Sequence, residues 1–274
     1  MYTIKISRQN SVDLFPLPAS NPLFVISTFF HAVFYDPIYN ALVALVALVP
    51  GSDVGIAVII ITIAIRLILL PFSLSAARTQ RSMKILEPKI KALKEKHKGN
   101  KEKEALETLS LYREERVNPF ASILMVFIQI PILLALYWVF YYEPFSTVSA
   151  INITRLYSFT PMPPTVSLEF LGIISVAGKS IVLAVLAGTT QFLQAYMALR
   201  GTMKPSGIPG MQNDFQRIMG IQLKYVFPFL IGIISYTTSG AIALYFIATN
   251  LAGSLQEWHV RRTIMVEKPE VQSA

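Results

Sequence analysis

No cysteine occurs in the chain, which excludes disulfides, thiolate metal sites, a cysteine nucleophile and an N-terminal lipid anchor on cysteine. Charge is also scarce: 15% of the residues are Asp, Glu, Lys or Arg, against 53% hydrophobic, and mean hydropathy is +0.52. That balance excludes an ordinary soluble domain and points to an integral membrane protein. Histidine is limited to His31, His97 and His259, none inside an expected core span, and neither an H-E-x-x-H nor a G-x-S-x-G pattern is present. No catalytic residue, metal ligand or cofactor is therefore expected. No internal repeat is visible, which disfavours an inverted-repeat transporter.

What is there is a set of long apolar runs. About 18 or more apolar residues cross a hydrocarbon core of roughly 30 Å as a helix. By that measure residues 54–74 form a first core span after the turn Pro50-Gly51-Ser52-Asp53, and residues 120–142 form a second, with Asn118 as N-cap and Pro119 in its first turn. Residues 180–199 form a third, with Lys179 able to snorkel at its end. Two shorter runs, 225–238 and 241–255, are separated by Ser239-Gly240 and read as a tight pair of short spans. The predicted fold is all-α, a five-transmembrane-helix core over residues 35–262, with an outer loop 143–178 containing short helical pieces.

Residues 1–34 are poorly determined. A signal peptide suits Lys5 and Arg8, yet Asp13, Pro16 and Pro18 interrupt the approach and no small-residue cleavage site follows. The apolar stretches 23–35 and 38–49 are split by Asp36-Pro37, so residues 37–49 are expected to form an amphipathic helix on the outer interface.

Twelve of the 24 Lys and Arg lie between Ala76 and Arg116, which assigns that loop to the cytoplasm of a protein in the cell membrane. With five spans, the loop holding Lys204 and Arg217 and the tail 263–274 fall inside as well, and the N-terminus falls outside. Within 75–117 the apolar positions Met83, Leu86, Ile90 and Leu93, then Leu106, Leu109 and Tyr112, keep helical spacing about the turn Lys98-Gly99-Asn100. This predicts a cytoplasmic helical hairpin, with Pro88 kinking its first helix. A solvated hairpin closed by its own seam and a partner-docking arm fit equally. Anionic lipid, ribosomal RNA and a nascent chain are all chemically suitable partners for the arm.

The residue that asks for a function is Arg66, set in the run ITIAIRLILLP. A central Arg costs on the order of 3 kcal/mol on insertion scales, so it faces protein or water. Thr62 and Ser73 share its face, and further intramembrane polar groups are Gln129, Thr189, Thr190, Gln191, Gln194, Thr249, Asn250 and Ser254. No acidic residue stands in a span interior. An Arg met only by amides, hydroxyls and water keeps its charge available to a negative ligand; the competing reading is an Arg that ties helices together. Tyr245 and Phe246 either line a path for substrate or serve packing.

The order of motifs is specific. GIAVIIITIAIRLILLP, then LEPKI in the hairpin, NPFASILMVFIQIPILLALY and SGAIALYFIATNL together resemble the YidC membrane protein insertases of the YidC/Oxa/Alb superfamily, over about residues 35–262. The resemblance is to a short form of the family, expected to carry neither the large periplasmic domain nor the lipidated cysteine found in some of its branches. The resemblance implies a membrane protein insertase and chaperone with a hydrophilic groove open to cytoplasm and lipid. It matches Arg66, Thr62 and Gln129 to groove positions, with Gln191 and Asn250 as further polar candidates, and Tyr245 and Phe246 to substrate-contact aromatics. It implies newly made membrane proteins and lipids as partners, with the ribosome and the Sec translocon as candidates. A small-solute channel or transporter and a structural assembly factor are the alternatives.

Overall fold

The structure is a computed structural model that describes residues 22–97, 99–115, 117–118, 121–143, 145–199 and 220–264. Most of the N-terminal segment and tail, and the loop with Lys204 and Arg217, lie outside the described residues. The fold is predominantly helical.

The chain starts with α1 (Pro22–Phe30), a π-helical turn (His31–Tyr35) and α2 (Asp36–Leu48). Asp36-Pro37 was expected to split this region, yet the helix runs through it. The wider π turn just ahead of Pro37 accommodates a residue that lacks an N–H and whose ring crowds the preceding carbonyls. The segment 25–48 is then long and apolar enough to cross a membrane by length and composition. Its contacts add a second constraint. Asn40 donates to Arg155 O at 2.9 Å and accepts from Tyr157 N at 2.6 Å and Thr160 Oγ1 at 2.8 Å. Beyond its far end, Ser52 O accepts from Ser167 N at 2.9 Å. Both ends of α2 are thus tied to one loop, and the helix lies along it.

Asp53 caps α3 (Val54–Ile68) by accepting from Ile56 N at 3.1 Å. The expected span 54–74 is bent: the helix breaks at Leu69 and α4 (Leu70–Lys96) leaves at 59°, measured between Val54–Ile68 and Leu70–Thr79. Pro71 is the physical cause, since it can start a helix but not continue one. The first arm of the charged hairpin therefore starts inside the apolar run, with no break at residue 75. Pro88 lies within α4, which continues through it.

A left-handed Gly99 (φ +96°) makes the turn, and Asn100 Oδ1 caps α5 (Lys101–Glu114) by accepting from Lys103 N. Lys89 pairs with Glu115 at 2.6 Å and His97 with Glu107 at 2.8 Å, so the two helices run back along each other. The expected apolar seam is only partly closed. Leu86 is buried, but Leu106 and Leu109 stay exposed and α5 buries no described side chain fully.

Helices α6 (Ala121–Tyr142), α7 (Ile181–Leu199), α8 (Phe227–Thr237) and α9 (Gly240–Ile264) complete the body. A second π turn, Gln222–Val226, sits directly before Pro228 as the first does before Pro37. The core gathers Tyr39, Leu42 and Val46 of α2, Val58 and Ile61 of α3, Leu136 and Val139 of α6, and Ala241 to Phe246 of α9. Outward faces are equally apolar, Phe229 being 69% exposed and Ile68 71%, as suits helices solvated by lipid. By length and composition, two of the described helices can cross a membrane, 25–48 and Ile181–Leu199, and a third if the bent α3–α4 pair is one span. The runs of α6, α8 and α9 do not meet that criterion, so it does not recover the expected five.

The loop 143–178 holds two short 3-10 turns and, unexpectedly in an all-α reading, a two-stranded antiparallel sheet, β1 (Glu169–Phe170) with β2 (Ile174–Ser175). It seals one end of the body. Leu171 N donates to Asp53 Oδ2 at 2.7 Å, and Gly240 N and Ala241 N donate to Gly178 O and Val176 O. Asn152 donates to Glu143, whose carboxyl burial pushes above the usual carboxylate range.

Candidate functional site

Arg66 occupies the last turn of α3, just before the bend at Leu69. Its placement follows from local sequence: β-branched Ile and Val carry the helix and Pro71 starts the next one, which leaves Arg66 in the turn just before the bend. Its Nε is buried without a hydrogen-bond partner among the described residues, and no described carboxylate pairs it. Tyr245 of α9 is the group that interacts with it electrostatically.

Around Arg66 the helices are joined by polar pairs. Gln129 Nε2 of α6 donates to Tyr245 OH of α9. Ser73 Oγ of α4 bonds Leu70 O at 3.0 Å and Gln256 Oε1 of α9 at 2.9 Å. Ser254, two residues before Gln256, is buried with its hydroxyl unpartnered among the described residues. Thr62, one turn before Arg66, is buried at 1% exposure and spends its proton on its own helix, donating to Val58 O at 2.6 Å.

The remaining expected residues face elsewhere. Asn250, also 1% exposed, reaches α7, bonding Ala187 O at 3.4 Å and Thr190 Oγ1 at 3.3 Å. Gln191 follows Thr190 in α7, half-buried. Gln194 lies against Gly253, where an added Cβ would come within 2.2 Å of its amide nitrogen. The polar groups thus form two seams on α9: Arg66, Gln129, Tyr245, Ser73 and Gln256 toward α3, α4 and α6, and Asn250 with Thr190 and Gln194 toward α7. Phe246 is buried and in ring contact with Tyr245 at 5.4 Å. Gln256 was missed in the sequence because LQEWHVRR reads as the polar exit of a span.

Chemically, the first seam holds an uncompensated cation and hydrogen-bonding groups with apolar walls. Among the described residues no group of three His, Asp or Glu could hold a metal ion. What the arrangement offers is attraction and hydrogen bonding of a negative or polar group inside the membrane region.

The chain matches the family model described as the 60Kd inner membrane protein over residues 45–268. It is 30% identical over 211 residues to the membrane protein insertase YidC of Clostridium perfringens, covering 77% of this chain and 79% of that one. It is 29% identical to the YidC insertase of Fusobacterium nucleatum, covering 77% and 87%. Against the YidC insertase of Francisella tularensis subsp. novicida it is 28% identical over 96% of this chain but only 41% of that one. Among solved structures it is similar to an active YidC insertase crystallised with its first transmembrane domain resolved, at 22% identity and a TM-score of 0.46, over 90% of this chain and 50% of that one. With a family model spanning most of its length and relatives matched along both chains, the protein belongs to the 60Kd inner membrane protein family, the YidC insertases of the Oxa superfamily.

Proposed function

We propose that the protein inserts newly made membrane proteins into the bilayer and assists their folding, with the seam around Arg66 receiving the polar, acidic part of the substrate. The observation that carries this is the buried Arg66 Nε, which has no hydrogen-bond partner and no paired carboxylate among the described residues. A structural tie would have that donor met. In this reading Gln129 frames the polar path beside Arg66 and Tyr245 and Phe246 form its aromatic wall, while Thr62 packs behind Arg66 within α3 and Gln191 and Asn250 belong to the second seam, toward α7. Hydrophobic partitioning of the substrate helix into lipid supplies the driving force.

The same proposal sets the topology. Five helices, built on α3, α6, α7, α8 and α9, cross the membrane; α2 lies on the outer interface beside the sealing loop 143–178; the α4–α5 hairpin and the C-terminal tail are cytoplasmic. Lipids are direct partners, and the basic hairpin suits a ribosome or a Sec translocon at the inner face.

The test compares insertion of an acidic-tailed and a neutral-tailed single-span substrate into vesicles carrying wild-type protein, Arg66→Lys or Arg66→Ala. Arg66→Lys is expected to retain most activity, and Arg66→Ala to lose roughly tenfold or more on the acidic tail and less on the neutral one. Equal losses on both substrates, with a drop in melting temperature, would make Arg66 a packing residue. A photoreactive residue at position 129 that captures no nascent chain during translation would remove the seam from the substrate path.

A further inference from the structure

Between α7 and α8 runs an open, apolar groove of about 630 Å³. The two helices touch through glycine: a Cβ added to Gly188 would lie 3.1 Å from Pro228 O and 3.7 Å from Gly232 Cα. This close approach makes the floor. Val185, Phe229 and Ile233 rise beside it as walls, 62%, 69% and 44% exposed. Between the two ends the lining hydroxyl, that of Thr189, donates to Val185 O at 2.8 Å and is spent within its own helix, and the phenol of Tyr236 stands at the mouth. The interior therefore suits hydrocarbon.

The two ends differ. At one, Phe192 of α7 meets Tyr225 at 5.9 Å, and Lys224 lies over the rings of Tyr196 and Tyr225, so aromatic contact closes the groove. At the other, Tyr236 lines the mouth and Lys179 Nζ stands 5.8 Å from its ring centroid. Lys179 is exposed and has no carboxylate partner among the described residues.

From residue 181 to residue 192 the helix rises about 17 Å at 1.5 Å per residue, close to half of a hydrocarbon core of roughly 30 Å. The groove is one leaflet deep. An apolar transmembrane helix brings no anion to Lys179, whereas an acyl chain below a phosphate matches both the apolar walls and the cation at the mouth. We propose that the α7–α8 groove binds one acyl chain of an anionic phospholipid whose phosphate is held by Lys179. The inference needs only that the protein resides in a bilayer, and is independent of the insertase reading.

The test is native mass spectrometry of the full-length protein in detergent, titrated with phosphatidylglycerol or phosphatidylcholine. The wild type retains phosphatidylglycerol preferentially. Lys179→Gln lowers that preference about fivefold, the effect of one basic residue on an anionic lipid surface, and leaves phosphatidylcholine binding unchanged. Gly232→Leu fills the groove and loses both lipids; its Cβ meets nothing closer than Ala184 O at 3.6 Å, so the backbone has room. Melting curves establish whether Gly232→Leu is folded, and if it is not, Lys179→Gln decides alone. Unchanged lipid preference in Lys179→Gln overturns the proposal, as does unchanged retention in folded Gly232→Leu. A hydrophobic single-span peptide that crosslinks from a photoreactive residue at position 185 and is not displaced by phosphatidylglycerol also overturns it, because the groove is then a helix-docking face.

Discussion

At the residue scale, the intramembrane polar side chains divide by whether their hydrogen bonds are already met. Thr62 is satisfied within α3, so Thr62→Val is expected to keep insertion within about twofold of wild type, because the hydroxyl it loses serves only its own helix. Tyr245 is different, because it accepts from Gln129 across two helices. Tyr245→Phe leaves that amide unmet and is expected to cost about 1–3 kcal/mol, read as a lower melting temperature in detergent. Adding Gln129→Leu to Tyr245→Phe should recover part of the loss, and a strictly additive double variant would show that the two side chains are not coupled. Arg66 was conspicuous in the sequence because charge inside an apolar run is costly wherever the chain goes. Gln256 was not, because only its meeting with Ser73 distinguishes it from any polar residue at a helix end.

At the scale of elements, proline punctuates this chain in two ways. Pro71 separates α3 from α4, whereas Pro37 and Pro228 each follow a π turn that carries the helix on. The residue type is the same; the backbone ahead of it differs, and periodicity does not reveal that. Asn40 fastens α2 to the sealing loop through Arg155 O, Tyr157 N and Thr160 Oγ1. Asn40→Leu is expected to lower the melting temperature by leaving part-buried backbone groups at Arg155 and Tyr157 without their partner, at about 1 kcal/mol for each. The hairpin carries a pH-dependent contact. His97 beside Glu107 holds that carboxyl below its ordinary value, and Lys96 adds to the effect. A depressed carboxylate stabilises above its unfolded value of about 4.3 and loses that stabilisation as pH falls through the lower folded value. Hydrogen exchange in α5 should therefore accelerate, relative to the intrinsic rate, as pH is lowered below about 4.3, and Glu107→Gln should remove the dependence. An unchanged profile in Glu107→Gln would place the contact outside the hairpin's stability.

At the scale of the whole molecule, the proposed sidedness is directly testable because the chain has no native cysteine. Single cysteines at Asn100 in the hairpin turn and at Phe159, 80% exposed in the sealing loop, should react oppositely with a membrane-impermeant reagent added to intact cells. Labelling is expected at position 159 and not at position 100; the reverse would invert the topology. Membrane residence, the charged hairpin between apolar runs and the singular Arg66 were all legible in the sequence. Each rests on a local cost, the desolvation of charge or the length of an apolar run, that is paid wherever the segment ends up in space. The partnerships were not legible: Gln129 with Tyr245 lies 116 positions apart, Ser73 with Gln256 183, and Asn40 with Thr160 120. Neither was the turning of Asn250 toward α7 away from Arg66, nor the α7–α8 groove floored by Gly188 and Gly232. Those were decided by tertiary structure, because which side chains meet depends on how helices bend and pack against one another, and that is set by the fit of their whole surfaces and not by any one segment.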